Sequence, residues 1–267
     1  MMTSNRSTVA GWQARLFWPL MLFTLAVTLA TLVGEAFKTR LIGYMRFADL
    51  EELAVNSLFY LIALVLLGDL FVEGRAPRWL RMAFAALTIT FILGHGLHIA
   101  ANSVNTFSTE IRDYKAILPA DMYALLYFFD ENLSHLFIYI SRYGLFACLL
   151  ILEAQYLASM ETARLPAKRT LWVWLGLAMG ILYGLWEAIV FLEGQKLYLA
   201  PFLMAGLGGI WIWQWRRSKQ PFGAFFRNGP MTAFCVGLLV IPLGLILWVV
   251  LTGGWCEPSQ FFMGRCK

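Results

Sequence analysis

The three histidines of the chain are the residues whose types and spacing point most directly to chemistry. His95 and His98 are three residues apart, so that on a helix they share a face. His135 follows the acidic pair Asp130 and Glu131, and Glu131 lies one helical turn before it. Imidazole nitrogens and carboxylate oxygens are ligands of Zn²⁺ and of non-haem iron. The sequence therefore predicts that the three histidines bind a metal ion.

Neighbouring residues supply the other groups that a metal-dependent hydrolase needs. Glu131 is predicted as a fourth ligand or as the base that takes a proton from metal-bound water. Asp130, Ser134 and Glu187 are predicted to orient that water or the substrate. Arg142 lies in the middle of an apolar run, and this buried charge is predicted to pair with a carboxylate or to contact an anionic part of a ligand.

Each of these residues also has a purely structural interpretation. A histidine near a helix end can reach the headgroup region, Asp130 can cap a helix, and Ser134 can bond its own helix backbone. Glu187 can pair with Tyr183 one turn earlier. Because ionisable groups are costly inside a bilayer, their concentration at one level favours a shared site.

The composition places these groups in a membrane. Of the 267 residues, 60% are hydrophobic and 14% are charged, whereas soluble domains average about 25% charged residues. Seven apolar runs are long enough to cross a hydrocarbon layer of about 30 Å: they cover 16–34, 53–72, 79–101, 132–157, 171–192, 197–215 and 231–252. The predicted fold is an all-α integral membrane protein, a single bundle of seven transmembrane helices in one domain, 1–267.

Positive charges set the predicted orientation. Lys and Arg concentrate in the N-terminal tail and in the three loops on its side, so we expect the N-terminus inside and the C-terminus outside a plasma or inner membrane. The net charge of +5 is interpreted as a topology signal rather than as a nucleic-acid surface. In this topology the three histidines lie near the outer boundary. Cys256 and Cys266 in the external tail are predicted to be able to form a disulfide.

Seven helices with a set of His, Asp and Ser are similar to the superfamily of alkaline ceramidases and progestin and adipoQ receptors. That superfamily has a His-x-x-x-His pair on its last helix, whereas no histidine follows His135 here, so none of its residues are carried over. The sequence also lacks the His-Glu-x-x-His, Gly-x-Ser-x-Gly and P-loop signatures.

The function predicted from these residues is a membrane hydrolase that depends on zinc or iron and acts on a lipid or another amphipathic substrate from the outer leaflet. Three alternatives stay open. The same residues would bind a metal ion or small solute transiently in a permease. His135 and either His95 or His98 would ligate haem in an electron-transfer or assembly protein. In a non-catalytic subunit of a membrane complex, the polar groups would only hold helices together.

Overall fold

A computed structural model gives the fold, and it describes residues 7–37, 41–42, 45–74, 76–107, 119–159, 169–193, 198–218 and 229–254. The helices are α1 (Ser7–Phe37), α2 (Phe47–Glu51), α3 (Ser57–Glu73), α4 (Arg78–Thr106), α5 (Ala120–Tyr127), α6 (His135–Ser159), α7 (Arg169–Glu193), α8 (Leu199–Ser218), α9 (Pro230–Gly237) and α10 (Val240–Thr252). Two π-helical segments, π1 (Glu52–Asn56) and π2 (Phe128–Ser134), join α2 to α3 and α5 to α6. Within the described residues the strands are β1 (Leu41–Ile42) and β2 (Met45–Arg46), paired antiparallel. The predicted all-α class is confirmed for this part of the chain.

Five helical segments of the described chain are long and apolar enough to cross a membrane: Phe47–Glu73, Arg78–Asn105, Ala120–Tyr156, Leu171–Leu192 and Pro230–Thr252. They correspond to the second, third, fourth, fifth and seventh predicted runs. Within α1, Ala14–Leu29 is a shorter apolar helix. The sixth predicted run lies in α8, whose last turn carries Arg216 and Arg217 and which is not one of the five.

The last predicted run, 231–252, is broken into α9 and α10 at Leu238 and Leu239. A proline explains the break. Pro242 has no amide hydrogen to donate to the carbonyl of Leu238. That carbonyl accepts instead from the amide of Ile241, at 2.9 Å, in a tighter turn.

The chain divides into two compact units, and the first takes its residues from Met1–Thr24, Ala63–Ala76 and Phe146–Lys267. Aromatic rings build its core. The ring of Phe146 packs against Phe23, Tyr183 and Phe234, with ring centroids 6.2, 5.5 and 5.1 Å away. All four side chains are nearly or fully buried. The single domain predicted for 1–267 stays a prediction.

Glycines allow α7 and α9 to pack closely in the first unit. A Cβ added at Gly176 would lie 2.4 Å from the carbonyl oxygen of Pro230, and one added at Gly180 would lie 2.1 Å from that of Phe234. Backbone this close leaves no room for a side chain. The two glycines therefore fix the spacing between these helices.

A buried glutamate caps the N-terminus of α9. The carboxylate of Glu153, in α6, accepts hydrogen bonds from the backbone amides of Met231 and Thr232, each at 2.8 Å, and from the Thr232 hydroxyl at 2.8 Å. The first amides of a helix have no partner within it and favour negative charge. The Glu153 side chain is 1% exposed, so this cap is buried within the protein.

The second unit comprises Leu25–Ile62 and Pro77–Leu145. In it α4 packs against π2 and the first turns of α6 at Gly94. A Cβ at that position would lie 2.8 Å from Cβ of Phe137 and 3.0 Å from the backbone nitrogen of Ile138. At Gly96 no described atom lies within 4 Å of an added Cβ. Gly94 alone of these two therefore brings the histidine-bearing helices together.

Candidate functional site

The second unit brings imidazole rings from α4 and α6 together. His98 projects from α4 and His135 begins α6, and their ring centroids are 4.8 Å apart. His95, one turn before His98, is held by aromatic rings. Phe91 stacks on it with centroids 6.0 Å apart, and Tyr60 meets it edge-on at 5.1 Å. The close packing at Gly94 is what places the two helices at this distance.

Asp130 lies on the Nδ1 side of His98. Its Oδ1 is 3.1 Å from Nδ1 of His98, within hydrogen-bond distance. Its Oδ2 accepts a hydrogen bond from Nδ2 of Asn105 at 3.3 Å. Asp130 is 1% exposed, so its charge is held inside the protein. A carboxylate in this position fixes the ring and leaves Nε2 of His98 as the nitrogen with a lone pair.

Glu131 stands in the same relation to His135. Nδ1 of His135 lies 2.9 Å from the backbone carbonyl oxygen of Glu131 and 3.4 Å from its Oε2. With Nδ1 donating to the carbonyl, Nε2 of His135 carries the lone pair. Asp130 and Glu131, which are consecutive in π2, therefore both lie on the Nδ1 side of an imidazole.

Glu52 joins the cluster, and sequence reasoning missed it. Its Oε1 is 3.9 Å from Nε2 of His98 and 4.0 Å from Nδ1 of His95. The second apolar run was predicted to start at Leu53, so Glu52 was assigned to the preceding polar connection. The signal that could have found it is its position at the start of that run, the end predicted to lie at the level of the histidines.

The acidic residues of the cluster lie in the two π-helical segments. Glu52 is the first residue of π1, and Asp130 and Glu131 lie in π2. π-helices account for well under 1% of residues in proteins and occur frequently at functional sites. A π-turn holds more residues than an α-turn, so it changes the direction of the side chains near it. In this unit both π segments direct carboxylates at histidines.

Ser134 makes the backbone hydrogen bond that its structural interpretation predicts. Its hydroxyl donates to the carbonyl oxygen of Asp130 one turn earlier in the same helix, and the side chain is fully buried. The hydroxyl proton is therefore engaged with the backbone. Its role in orienting water or substrate stays a prediction.

Arg142 lies in the same unit as the histidines. Arg142 is 5% exposed, and its guanidinium carbon lies 5.3 Å from the centre of the Tyr139 ring in a cation–π contact. Glu187 is fully buried in α7 and belongs to the first unit. Cys256 and Cys266 lie outside the described residues.

The cluster contains more negative than positive groups. Glu52, Asp130 and Glu131 bring three carboxylates to three imidazoles, and a divalent cation is a ligand that such a set favours. As the side chains stand, no three His, Cys, Asp or Glu of the described residues are arranged to hold one ion. Nε2 of His95 is buried and has no hydrogen-bond partner within the described chain.

Comparisons with known proteins give no relative of this chain. No family model, curated protein or solved structure matches it at a significant level. The residues of the site are therefore the basis for a functional proposal.

Proposed function

We propose that this chain is a membrane-embedded, metal-dependent hydrolase that acts on a lipid or another amphipathic substrate. His95, His98 and His135 would bind zinc or iron. The observation that carries the proposal is the 3.1 Å contact between Nδ1 of His98 and Oδ1 of Asp130. A histidine that ligates a metal almost always has such a partner on its other nitrogen, which orients the ring and raises its basicity.

A metal ion held by the three histidines would act as a Lewis acid and make a water more acidic, so that this water could attack the carbonyl carbon of an ester or amide. Glu131, which is partly exposed, would take the proton of that water through one intervening water and return it to the leaving alcohol or amine as that bond breaks. Asp130 orients His98, and Arg142 contacts an anionic group of the substrate.

The proposed topology is seven transmembrane helices, with the N-terminus inside and the C-terminus outside a plasma or inner membrane. The 20 residues of α8 correspond to about 30 Å of helix, the thickness of a hydrocarbon layer. Large apolar side chains with high exposure also support a lipid environment, among them Phe202 at 75%, Leu243 at 64% and Val250 at 71%. The site would open towards the outer leaflet.

The geometry favours a metal ion over haem. Two histidines that ligate one haem lie on opposite faces of the porphyrin, with the iron between their nitrogens. The rings of His98 and His135 have centroids 4.8 Å apart, which leaves no space for a porphyrin between them. An absorbance spectrum of the purified protein should therefore show no Soret band from haem between these two residues, and it also tests the pair of His95 and His135.

The experiment that tests the proposal combines metal content with hydrolysis. The full chain, purified in detergent and reconstituted in phospholipid vesicles carrying fluorescent acyl-ester and acyl-amide lipids, should release labelled fatty acid. A chelator should stop the release, and zinc should restore it. His135→Ala should be inactive, while Asp69→Asn, at an exposed residue of α3, should retain activity.

Three other results would replace the proposal. Stoichiometric metal without hydrolysis, together with zinc flux into liposomes, would indicate a permease. A Soret band would indicate a haem protein. A chain without metal that tolerates His98→Ala would indicate a structural subunit.

A further inference from the structure

We infer that Glu52 is a direct ligand of the metal ion, in the position for which the sequence suggested Glu131. This inference rests on the proposed function and names a residue that was not part of the predicted set. It comes from the side of each imidazole ring on which each carboxylate lies.

Asp130 and Glu131 each contact the Nδ1 side of an imidazole ring, opposite the nitrogen that would bind the metal. Asp130 faces Nδ1 of His98, and Glu131 faces Nδ1 of His135, while Nε2 of each ring is the nitrogen left for a metal. A carboxylate on the Nδ1 side orients the ring but cannot bond directly to an ion on the far side of it. Both residues therefore have the geometry of orienting partners.

Glu52 lies on the side where the ion would bind. Its Oε1 faces Nε2 of His98, the nitrogen opposite Asp130, at 3.9 Å. The same oxygen is 4.0 Å from Nδ1 of His95. Of the carboxylates whose contacts with these rings are described, that of Glu52 alone faces Nε2 of a histidine. One oxygen of π1 thus lies within 4.0 Å of two imidazole nitrogens of α4.

The separations are close to those of metal ligands. Bonds of about 2.0–2.2 Å place two ligand atoms of a tetrahedral zinc ion about 3.4 Å apart. The observed 3.9 and 4.0 Å exceed that value, in keeping with the absence of a ready three-residue arrangement in the described chain. A movement of roughly half an ångström would bring Oε1 to the separation expected between two zinc ligands from each of these nitrogens.

Charge supports the same assignment. In the described contacts of the cluster, Asp130 approaches the imidazole of His98 and the amide of Asn105, and Glu131 approaches His135. A cation bound by Oε1 of Glu52 and Nε2 of His98 would be attracted by these carboxylates as well. Water would fill a further position, since catalytic zinc can expand to five ligands.

The adjacent glutamate gives a matched control. Glu51 precedes Glu52 in the chain, yet its Oε2 accepts a hydrogen bond from Nδ2 of Asn56 at 3.2 Å. It is 9% exposed, so it is at least as buried as Glu52. Replacing either glutamate by glutamine removes the same charge from consecutive residues, and Glu52 alone faces the histidines.

The test is a calorimetric titration of the metal-free, detergent-purified full chain with Zn²⁺. Glu52→Gln should weaken zinc binding by about 100-fold or more, because an amide is a poor zinc ligand. Glu51→Gln should bind within about threefold of the unchanged chain. Glu52→His, which keeps a zinc-binding side chain, should recover at least a tenth of the original affinity.

The outcomes separate this inference from the proposed function. If the unchanged chain binds zinc and folded Glu52→Gln binds it equally well, Glu52 is not a ligand, while the metal site itself stands. If the unchanged chain binds neither zinc nor iron, both ideas fail. If Glu52→Gln does not fold, Glu52→His decides: retained binding supports ligation, and lost binding in a folded protein overturns it.

Discussion

Asp130 contacts two residues of α4. Its Oδ1 lies 3.1 Å from Nδ1 of His98, and its Oδ2 lies 3.3 Å from Nδ2 of Asn105. The two residues of α4 are seven positions apart, so they lie two turns apart on one face. The carboxylate therefore joins π2 to α4 and at the same time orients an imidazole. The predictions below distinguish packing effects from effects on metal binding.

Asp130→Asn should weaken zinc binding by about 10- to 100-fold, the range found when the orienting partner of a metal-bound histidine is lost. The amide keeps the size of the side chain but loses the charge that favours the correct tautomer of His98. Zinc titration of the purified chain measures the change. Asp121→Asn, an exposed residue of α5, serves as the control and should bind like the unchanged chain. Equal affinity in the two variants would remove Asp130 from the site.

His98→Ala and His135→Ala should each reduce the metal content of the purified protein to background. Each substitution removes a nitrogen ligand, and the rings of these residues lie on the two helices that the ion would join. Elemental analysis of the purified variants gives the metal content per chain. Asp69→Asn should keep the full content, because Asp69 is exposed and lies in the first unit. Full metal content in either histidine variant would contradict the proposed ligand set.

Gly94→Ala should lower the free energy of unfolding by about 2 kcal/mol, as overpacking does at a tight contact. The added Cβ would lie 2.8 Å from Cβ of Phe137, so α4 and α6 must separate. The same change should weaken zinc binding, since it alters the distance between the histidine-bearing helices. Gly96→Ala, where the added Cβ meets open space, should be neutral or slightly stabilising. Unfolding in graded detergent mixtures measures both, and equal stability would show that the contact at Gly94 tolerates a methyl group.

Glu153→Gln should lower the free energy of unfolding by about 2 kcal/mol, because its amide group turns a donor towards amides that need an acceptor. The affected groups are the buried amides of Met231 and Thr232. Glu73→Gln is the comparison, since Glu73 pairs with Arg15 at an exposed position and should contribute less than about 1 kcal/mol. The same unfolding assay applies to both. A smaller loss for Glu153→Gln than for Glu73→Gln would show that the cap is not important for stability.

Much of the helical architecture could be predicted from the sequence. The third and fifth predicted runs, 79–101 and 171–192, lie inside α4 and α7. Where the prediction differed, a local feature was responsible. The fourth span begins at Ala120 rather than 132, since π2 continues the helix through polar residues. The apolar run 231–252 predicts one continuous helix, but the last span breaks because Pro242 lacks an amide hydrogen.

The site was only partly predictable. The acidic residues of π2, Asp130 and Glu131, were predicted as site residues because they are close to His135 in the sequence. Glu52 was missed because it precedes His98 by 46 positions and is joined to it only through folding.

The sequence by itself determined the apolar helices, because an apolar run locates its own ends, and it predicted a common level for the histidines from the fixed rise of each helical residue. Only the tertiary structure decided which carboxylate faces which nitrogen of each ring. That choice depends on the rotation of each helix about its axis, and the rotation is set by contacts between distant residues, such as the packing of Gly94 against Phe137.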